Sequence, residues 1–222
     1  MSIQNNLQHI KSQLPEQVTL VAVSKTKPIA DIMEAYNAGQ RIFGENKIQE
    51  MTDKHQQMPK DIEWHMIGHV QRNKVKYMAE FVSLIHGVDN FKLLKEINKQ
   101  AKQHNRTINC LLQIKIAEED SKFGMSANDA STILQSKEFL ELKNVCIVGV
   151  MGMATFTDNE NQIKTEFSFL KSTFDELSKQ QTANCKLQTI SMGMSGDYTL
   201  AIACGSTMIR VGSSIFGERN YP

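Results

Sequence analysis

Apolar and polar positions along this chain keep two alternating rhythms from end to end. Short apolar runs predict strands over Val18–Ser24, Arg41–Gly44, Glu63–Ile67, Leu84–Val88, Ile108–Ile116, Val145–Met151, Leu187–Ser191 and Met208–Gly212. Between them, apolar residues recur three and four apart, which predicts helices over Ile29–Asn37, Lys47–Gln57, Asn73–Phe81, Phe91–His104, Ala127–Ser136 and Asn161–Gln181. A shorter helix is expected near Tyr198–Cys204. Several strands are continuous apolar runs, as expected when both faces of a parallel sheet are covered. Eight strand-helix steps within 222 residues favour an α/β fold of the (β/α)8 TIM-barrel kind. An open, doubly wound sheet is the structural rival, because closure leaves no mark on periodicity.

Ahead of the first strand, Ile3, Leu7, Ile10 and Leu14 stand at helical spacing in an otherwise polar stretch. An amphipathic helix at about residues 2–14, packed on the domain and closing one end of it, is therefore expected, rather than a signal peptide. No Gly/Pro-rich linker divides the chain, so residues 1–222 read as a single domain.

Composition narrows the partners. A net charge of +1 gives no reason to expect nucleic acid or an anionic membrane, and no apolar run approaches the ~20 residues that span a bilayer. Cys110, Cys146, Cys185 and Cys204 are far apart with no Cys-x-x-Cys pair, the pattern of reduced thiols in a cytoplasmic protein.

Chemistry gathers where the predicted strands end. Val18-Thr-Leu-Val-Ala-Val-Ser24 runs straight into Lys25, and Pro28 then opens a helix at a position where its missing N–H costs nothing. An amine at a strand rim, with Val21 and Val23 behind it, is partly desolvated, which favours the neutral form that attacks aldehydes. It could equally cap the strand in water. The second strand ends Phe43-Gly-Glu45-Asn46, the third carries His65, the seventh ends at Ser191 before a Gly193–Gly196 loop, and the eighth holds Arg210 before Gly212-Ser213-Ser214. In a barrel these ends meet at one face, where active sites lie.

Gly212-Ser213-Ser214 allows close backbone approach and can offer N–H groups and hydroxyls to a phosphate, although small residues also simply make tight turns. Arg210 sits among apolar neighbours and needs acceptors, which either Glu45 or a bound cofactor could supply. His65 reads as a satisfied core histidine. With His69 four residues away but no helix to present both, no metal site is expected. Lys122 closes an acidic loop, Glu118 to Asp120, after the fifth strand; it reads either as a surface lysine or as a guide at the barrel mouth. No Gly-x-Gly-x-x-Gly, Walker or Gly-x-Ser-x-Gly motif is present.

These motifs carry a resemblance. Ala22-Val-Ser-Lys25-Thr-Lys-Pro28, Phe43-Gly-Glu-Asn46, Trp64-His65-x-Ile67-Gly68, Ser191-Met-Gly-Met-Ser195 and Gly205-Ser-Thr-Met-Ile-Arg210-Val-Gly212, with Ile215-Phe-Gly217, are closely similar to the single-domain pyridoxal phosphate homeostasis proteins. The resemblance runs in order from about Val18 to Tyr221. It implies an alanine racemase N-terminal barrel and pyridoxal 5′-phosphate held as an internal aldimine on Lys25. Strand alternation does not separate Lys25 from Lys27, which has the same parity.

Further, the resemblance implies Asn46 beside the cofactor ring and Ser191, Gly212 and Ser213 on its phosphate. Arg210 would meet the pyridine nitrogen or the phosphate, and Ser213 stands where many relatives have threonine. The implied role is vitamin B6 homeostasis by a monomeric cytoplasmic protein, with apo-enzymes as recipients of the cofactor and no robust turnover. An arginine at the pyridine nitrogen weakens the ring as an electron sink. The chain stops at Pro222 without the second domain from which racemases draw a tyrosine base. The alternative is a small pyridoxal-phosphate enzyme such as an amino acid racemase.

Overall fold

The computed structural model describes residues 2–118 and 123–218. Its sheet is a closed barrel of eight parallel strands in the order β1 to β8. These are β1 (Thr19–Val23), β2 (Ile42–Glu45), β3 (Glu63–Met66), β4 (Leu84–Val88), β5 (Ile108–Gln113), β6 (Val145–Met151), β7 (Cys185–Ser191) and β8 (Met208–Val211). Closure comes from β1 pairing with β8 in the register Ala22↔Val211. The open-sheet rival is thereby excluded.

Alternation along the strands separates two cores. Ala22, Phe43, Trp64, Ile85, Leu112, Val150 and Ile209 face outward and pack under the helices in one large cluster. Val21, Leu84, Leu111, Met151 and Met208 face inward and fill the lower barrel. The outer ring includes α2 (Ile29–Asn37), α3 (Ile48–Gln57), α4 (Phe91–Gln103), α5 (Ala127–Gln135), α6 (Lys137–Leu140), α7 (Glu160–Leu177), α8 (Tyr198–Ala203) and α9 (Ser213–Phe216).

Two expectations need correction, and one short helix was not foreseen. The helix expected at Asn73–Phe81 is a 3-10 turn over Arg72–Tyr77. The segment after Gln135 restarts as α6, because Ser136 caps it by accepting from the Phe139 N–H. The N-terminal helix, α1 (Ile3–Gln13), does not close an end of the barrel. It packs in the outer ring against α2 and α9, with Leu7 and Ile10 buried and Asn6 donating to the Ile215 carbonyl at 3.0 Å. Because α9 is only four residues long, α1 covers the flank that an eighth full helix would otherwise cover.

Candidate functional site

A cavity of about 690 Å³ opens at the C-terminal ends of the strands. Lys25, Asn46, Arg210, Gly212 and Ser213 all line it. The registers explain why. Ala22 pairs with Val211 on one side and with Phe43 on the other, so the residues following β1, β8 and β2 emerge as neighbours. Gly68 permits the crowding on the β2–β3 side, since a Cβ there would lie 2.4 Å from the Asn46 carbonyl oxygen. A smaller groove of about 380 Å³ lies at the opposite end, lined by residues including Lys11, Glu16, Arg41 and Glu63. Arg41 is ion-paired with Asp61 at 2.9 Å there, and Lys11 reaches the Gly39 carbonyl. The reactive groups are at the larger cavity.

Lys25 follows Ser24, the residue after β1, and is half-buried. The two lysines of equal parity have different surroundings. Lys27 lines the cavity too, but its ammonium donates to the carbonyls of Phe216 at 2.9 Å and Glu218 at 3.0 Å, tying the first loop to the last turn. Thr26, between them, has φ +64°, a left-handed conformation that a β-branched residue adopts only when held. Glu50 Oε1 holds it by accepting from the Thr26 N–H at 2.6 Å.

At the β7–β8 end, Gly212 N–H donates to Ser195 Oγ at 3.2 Å. The first turn of α9 directs its bonds to Gly212 and Ser213 oxygens from Ile215, Phe216 and Gly217. The ladder provides no acceptor for the N–H groups of Ser213 and Ser214, which open the turn. Ser195, Gly196, Gly212 and Ser213 all line the cavity here. Ser191 does not. Its hydroxyl is fully buried beneath the cavity, accepting from Arg210 at 2.6 Å and meeting His86 Nδ1 at 3.1 Å. Ser191, the last residue of β7, thus serves Arg210 from inside the barrel, and Ser195, four residues on, is the serine that lines the cavity.

Arg210 is 4% exposed and donates to the Ser191 carbonyl at 2.8 Å and the Gly152 carbonyl at 3.1 Å besides the Ser191 hydroxyl. Burial lowers it to about 10, so it remains a cation at neutral pH. The expected pairing with Glu45 does not occur. Gly44 faces the barrel interior, so Glu45, one residue further, turns outward to the helices. There it accepts from Lys54 at 2.8 Å and from Ser24 Oγ at 2.6 Å. Desolvation raises the Glu45 carboxyl above its usual range, opposed by Lys54.

Beneath Arg210 a chain of polar contacts runs inward. A guanidinium only donates, so the Ser191 hydroxyl accepts from it. Ser191 Oγ also meets His86 Nδ1 at 3.1 Å, and His86 Nε2 meets His65 Nδ1 at 3.2 Å. Burial holds both imidazoles neutral, His65 pushed down to about 3 and His86 well below its ordinary value. His65 is the satisfied core histidine its context suggests. The sequence reading missed His86, whose apolar strand gives no sign of a partner, and Lys54, which looks like any helix lysine.

Lys122 lies outside the described residues, as does most of its acidic loop. Among the described residues, no group of three His, Cys, Asp or Glu side chains could hold a metal ion, and no helix is long and apolar enough to cross a membrane. All four cysteines are free thiols; burial raises Cys110 and Cys185 above the ordinary thiol value.

A single-domain barrel with an amine, a buried cation and a small-residue cradle at its mouth defines a class. Over residues 1–220 the chain matches the alanine racemase N-terminal domain, and it belongs to that family. Within it, the chain stands among the pyridoxal phosphate homeostasis proteins. It is 40% identical to the one from Pasteurella multocida over 99% of this chain and 95% of that protein. With the Haemophilus influenzae protein it shares 39% identity over 100% and 98%. PipY of Synechococcus elongatus, solved with PLP bound, superposes with a TM-score of 0.88 at 36% identity, covering 97% of this chain and all of that one. Alanine racemase of Clostridium difficile shares the fold alone, with a TM-score of 0.81 at 14% identity, and this chain covers 60% of it.

Proposed function

We propose that this protein binds pyridoxal 5′-phosphate and serves intracellular vitamin B6 homeostasis, holding the cofactor on Lys25 as a carrier rather than turning over a substrate. The observation that carries the reading is the shared cavity, in which Lys25, Asn46, Arg210, Ser195, Gly212 and Ser213 converge. The donor set suits a phosphorylated aldehyde. One end offers an amine, the other offers hydroxyls, a close-approach glycine and first-turn N–H groups, and a buried guanidinium stands between the strands. A Cβ on Gly212 would lie 3.2 Å from the Val23 carbonyl oxygen, so a side chain here would crowd the cradle. When bound, the group supplies an aldehyde that condenses reversibly with primary amines and a ring that withdraws electrons.

Each residue has a part. Lys25 presents the amine, and Lys27, tied to two carbonyls, is the poorer choice. Ser195, Gly212 and Ser213 take the phosphate, and Asn46 lies at the side of the ring. Arg210 keeps a positive charge at the cavity floor, where it meets two carbonyls and a hydroxyl. Such a cation disfavours a protonated ring nitrogen, which supports binding over carbanion chemistry. The carrier we propose is a monomeric, cytoplasmic protein that passes cofactor to apo-enzymes.

The test is a visible absorption spectrum of the purified protein, followed by borohydride reduction and peptide mapping. The mass increment belongs on Lys25, and Lys25→Ala abolishes it. An unchanged increment in that variant overturns the assignment. Sustained racemisation or transamination that disappears in Lys25→Ala would instead establish an enzyme. Charge-assisted bonds to a phosphate are worth roughly 1.5–3 kcal/mol each, so pyridoxal without its phosphate binds about two to four decades more weakly. Equal affinities would show that the cradle is misassigned.

A further inference from the structure

Behind the β1–α2 loop, outside the barrel, lies a buried ionic cluster of Lys54, Glu45 and Glu50, none of which lines the cavity. Lys54, on α3, is 6% exposed and directs all three ammonium protons to one place. They go to the Ser24 carbonyl at 2.8 Å, Glu45 Oε1 at 2.8 Å and Glu50 Oε1 at 2.6 Å. Each acceptor is fastened to the loop that carries Lys25. Ser24 is the residue before it, and its hydroxyl also donates to Glu45 Oε1 at 2.6 Å. Glu50 Oε1 takes the N–H of Thr26, the residue after it, in its left-handed conformation.

Stability does not account for this arrangement. Burying an ammonium and a carboxylate costs more solvation than a hydrophobic pair of the same size, and Glu45 Oε2 is buried with no hydrogen-bond partner at all. Fully satisfied apolar packing was open to these positions, since α3 and β2 already share an apolar core through Met51 and Phe43. What the ions supply is geometry. They hold the backbone on both sides of Lys25 and keep Thr26 in a conformation it would otherwise leave.

We infer that Lys54, with Glu45 and Glu50, is a positioning residue that fixes the direction of the Lys25 amine from outside the barrel. The inference rests on Lys25 being the cofactor lysine. It concerns the amine end of the site: the phosphate cradle hangs on β7, β8 and α9, which Lys54, Glu45 and Glu50 do not bond, and the loop's tie to α9 runs through Lys27, which the variants below leave in place.

That separation gives the test. Affinities of the protein freed of cofactor are measured for pyridoxal 5′-phosphate and for pyridoxine 5′-phosphate, which keeps ring and phosphate but has an alcohol in place of the aldehyde. Lys54→Met alone strands buried carboxylates, so it is paired with Glu45→Gln; Glu50→Ala, at a partly exposed position, releases Thr26 independently. In both variants the aldehyde ligand is expected to lose about ten- to a hundredfold in affinity, the scale of a misplacement near 1 Å, while the alcohol changes less than about twofold. A second readout uses no cofactor. The pH midpoint of Lys25 acetylation, followed by peptide mapping, shifts in both variants and not in Lys179→Met, which breaks a surface ion pair. Equal losses for both ligands, or none with an unmoved acetylation midpoint, overturn the inference. Lys25→Ala assigns the blame: if it leaves the aldehyde-to-alcohol ratio unchanged, the cofactor assignment itself is wrong.

Discussion

Two buried cations flank the end of β1, one inside the barrel and one outside, and they are satisfied in opposite ways. Arg210, inside, meets two carbonyls and a hydroxyl, with neutral imidazoles beyond. Among the described residues no ion pair neutralises it, and Asp197 acts only at longer range. Lys54, outside, meets two carboxylates directly. The first arrangement anchors a side chain while leaving its charge available to the cavity. The second spends its charge locally and leaves only geometry. An anion site needs the first kind, and a loop held in a strained conformation needs the second.

The largest effect should come from breaking the outer network on one side. Lys54→Met leaves Glu45 buried and unpaired and is expected to cost about 3–5 kcal/mol in urea denaturation. Adding Glu45→Gln should recover most of it. A double variant no more stable than Lys54→Met would mean that the lysine stem, not its charge, matters.

Acid should strike the inner network instead. His65 titrates near 3 in the fold and near 6.5 unfolded, so below pH 6.5 the unfolded chain binds the extra proton and stability falls with pH. By pH 5 this amounts to about 2 kcal/mol from His65, with His86 adding in the same direction. Glu45, raised in the fold, acts with opposite sign: its native state holds a proton more tightly, so its contribution favours the fold at low pH and is lost as pH rises. Denaturation midpoints between pH 7.5 and 5 should therefore drop in the wild type and drop less in His86→Gln. Identical pH profiles would show that His86 takes up its proton as readily in the fold as in the unfolded chain.

A smaller effect is expected at Ser191. Ser191→Ala strips a partner from Arg210 and from His86, a loss of about 1–3 kcal/mol in stability. Because Ser191 lies beneath the cavity, affinity for inorganic phosphate should change little, whereas Ser213→Asp should abolish it. Loss of phosphate binding in Ser191→Ala would return that serine to the cradle.

The strand-helix rhythm made the barrel legible, because a doubly covered parallel sheet needs apolar runs and its crossovers need amphipathic helices. Boundaries were blurred where a single side chain decides, as at the Ser136 cap. The site was legible as a set of strand ends, and Lys25, Asn46, Arg210, Gly212 and Ser213 do share one cavity. Glu45 was misread, and Ser191 lies deeper than its place in the motif suggests, for one reason. Each is a polar residue at a strand end, and sequence shows its place along the strand but not whether its neighbours take it up as scaffold.

By itself, then, the order of residues determined the eight-step rhythm, the inward or outward parity of each strand position and the motifs at one face, all of which are local or periodic properties. Tertiary structure alone decided which polar groups satisfy one another: Arg210 with Ser191 rather than Glu45, Glu45 with Lys54, and Lys27 with the carbonyls of the last turn. A buried charge takes whichever acceptor lies within about 3 Å, and that distance is set only when the barrel closes and the helices settle on it.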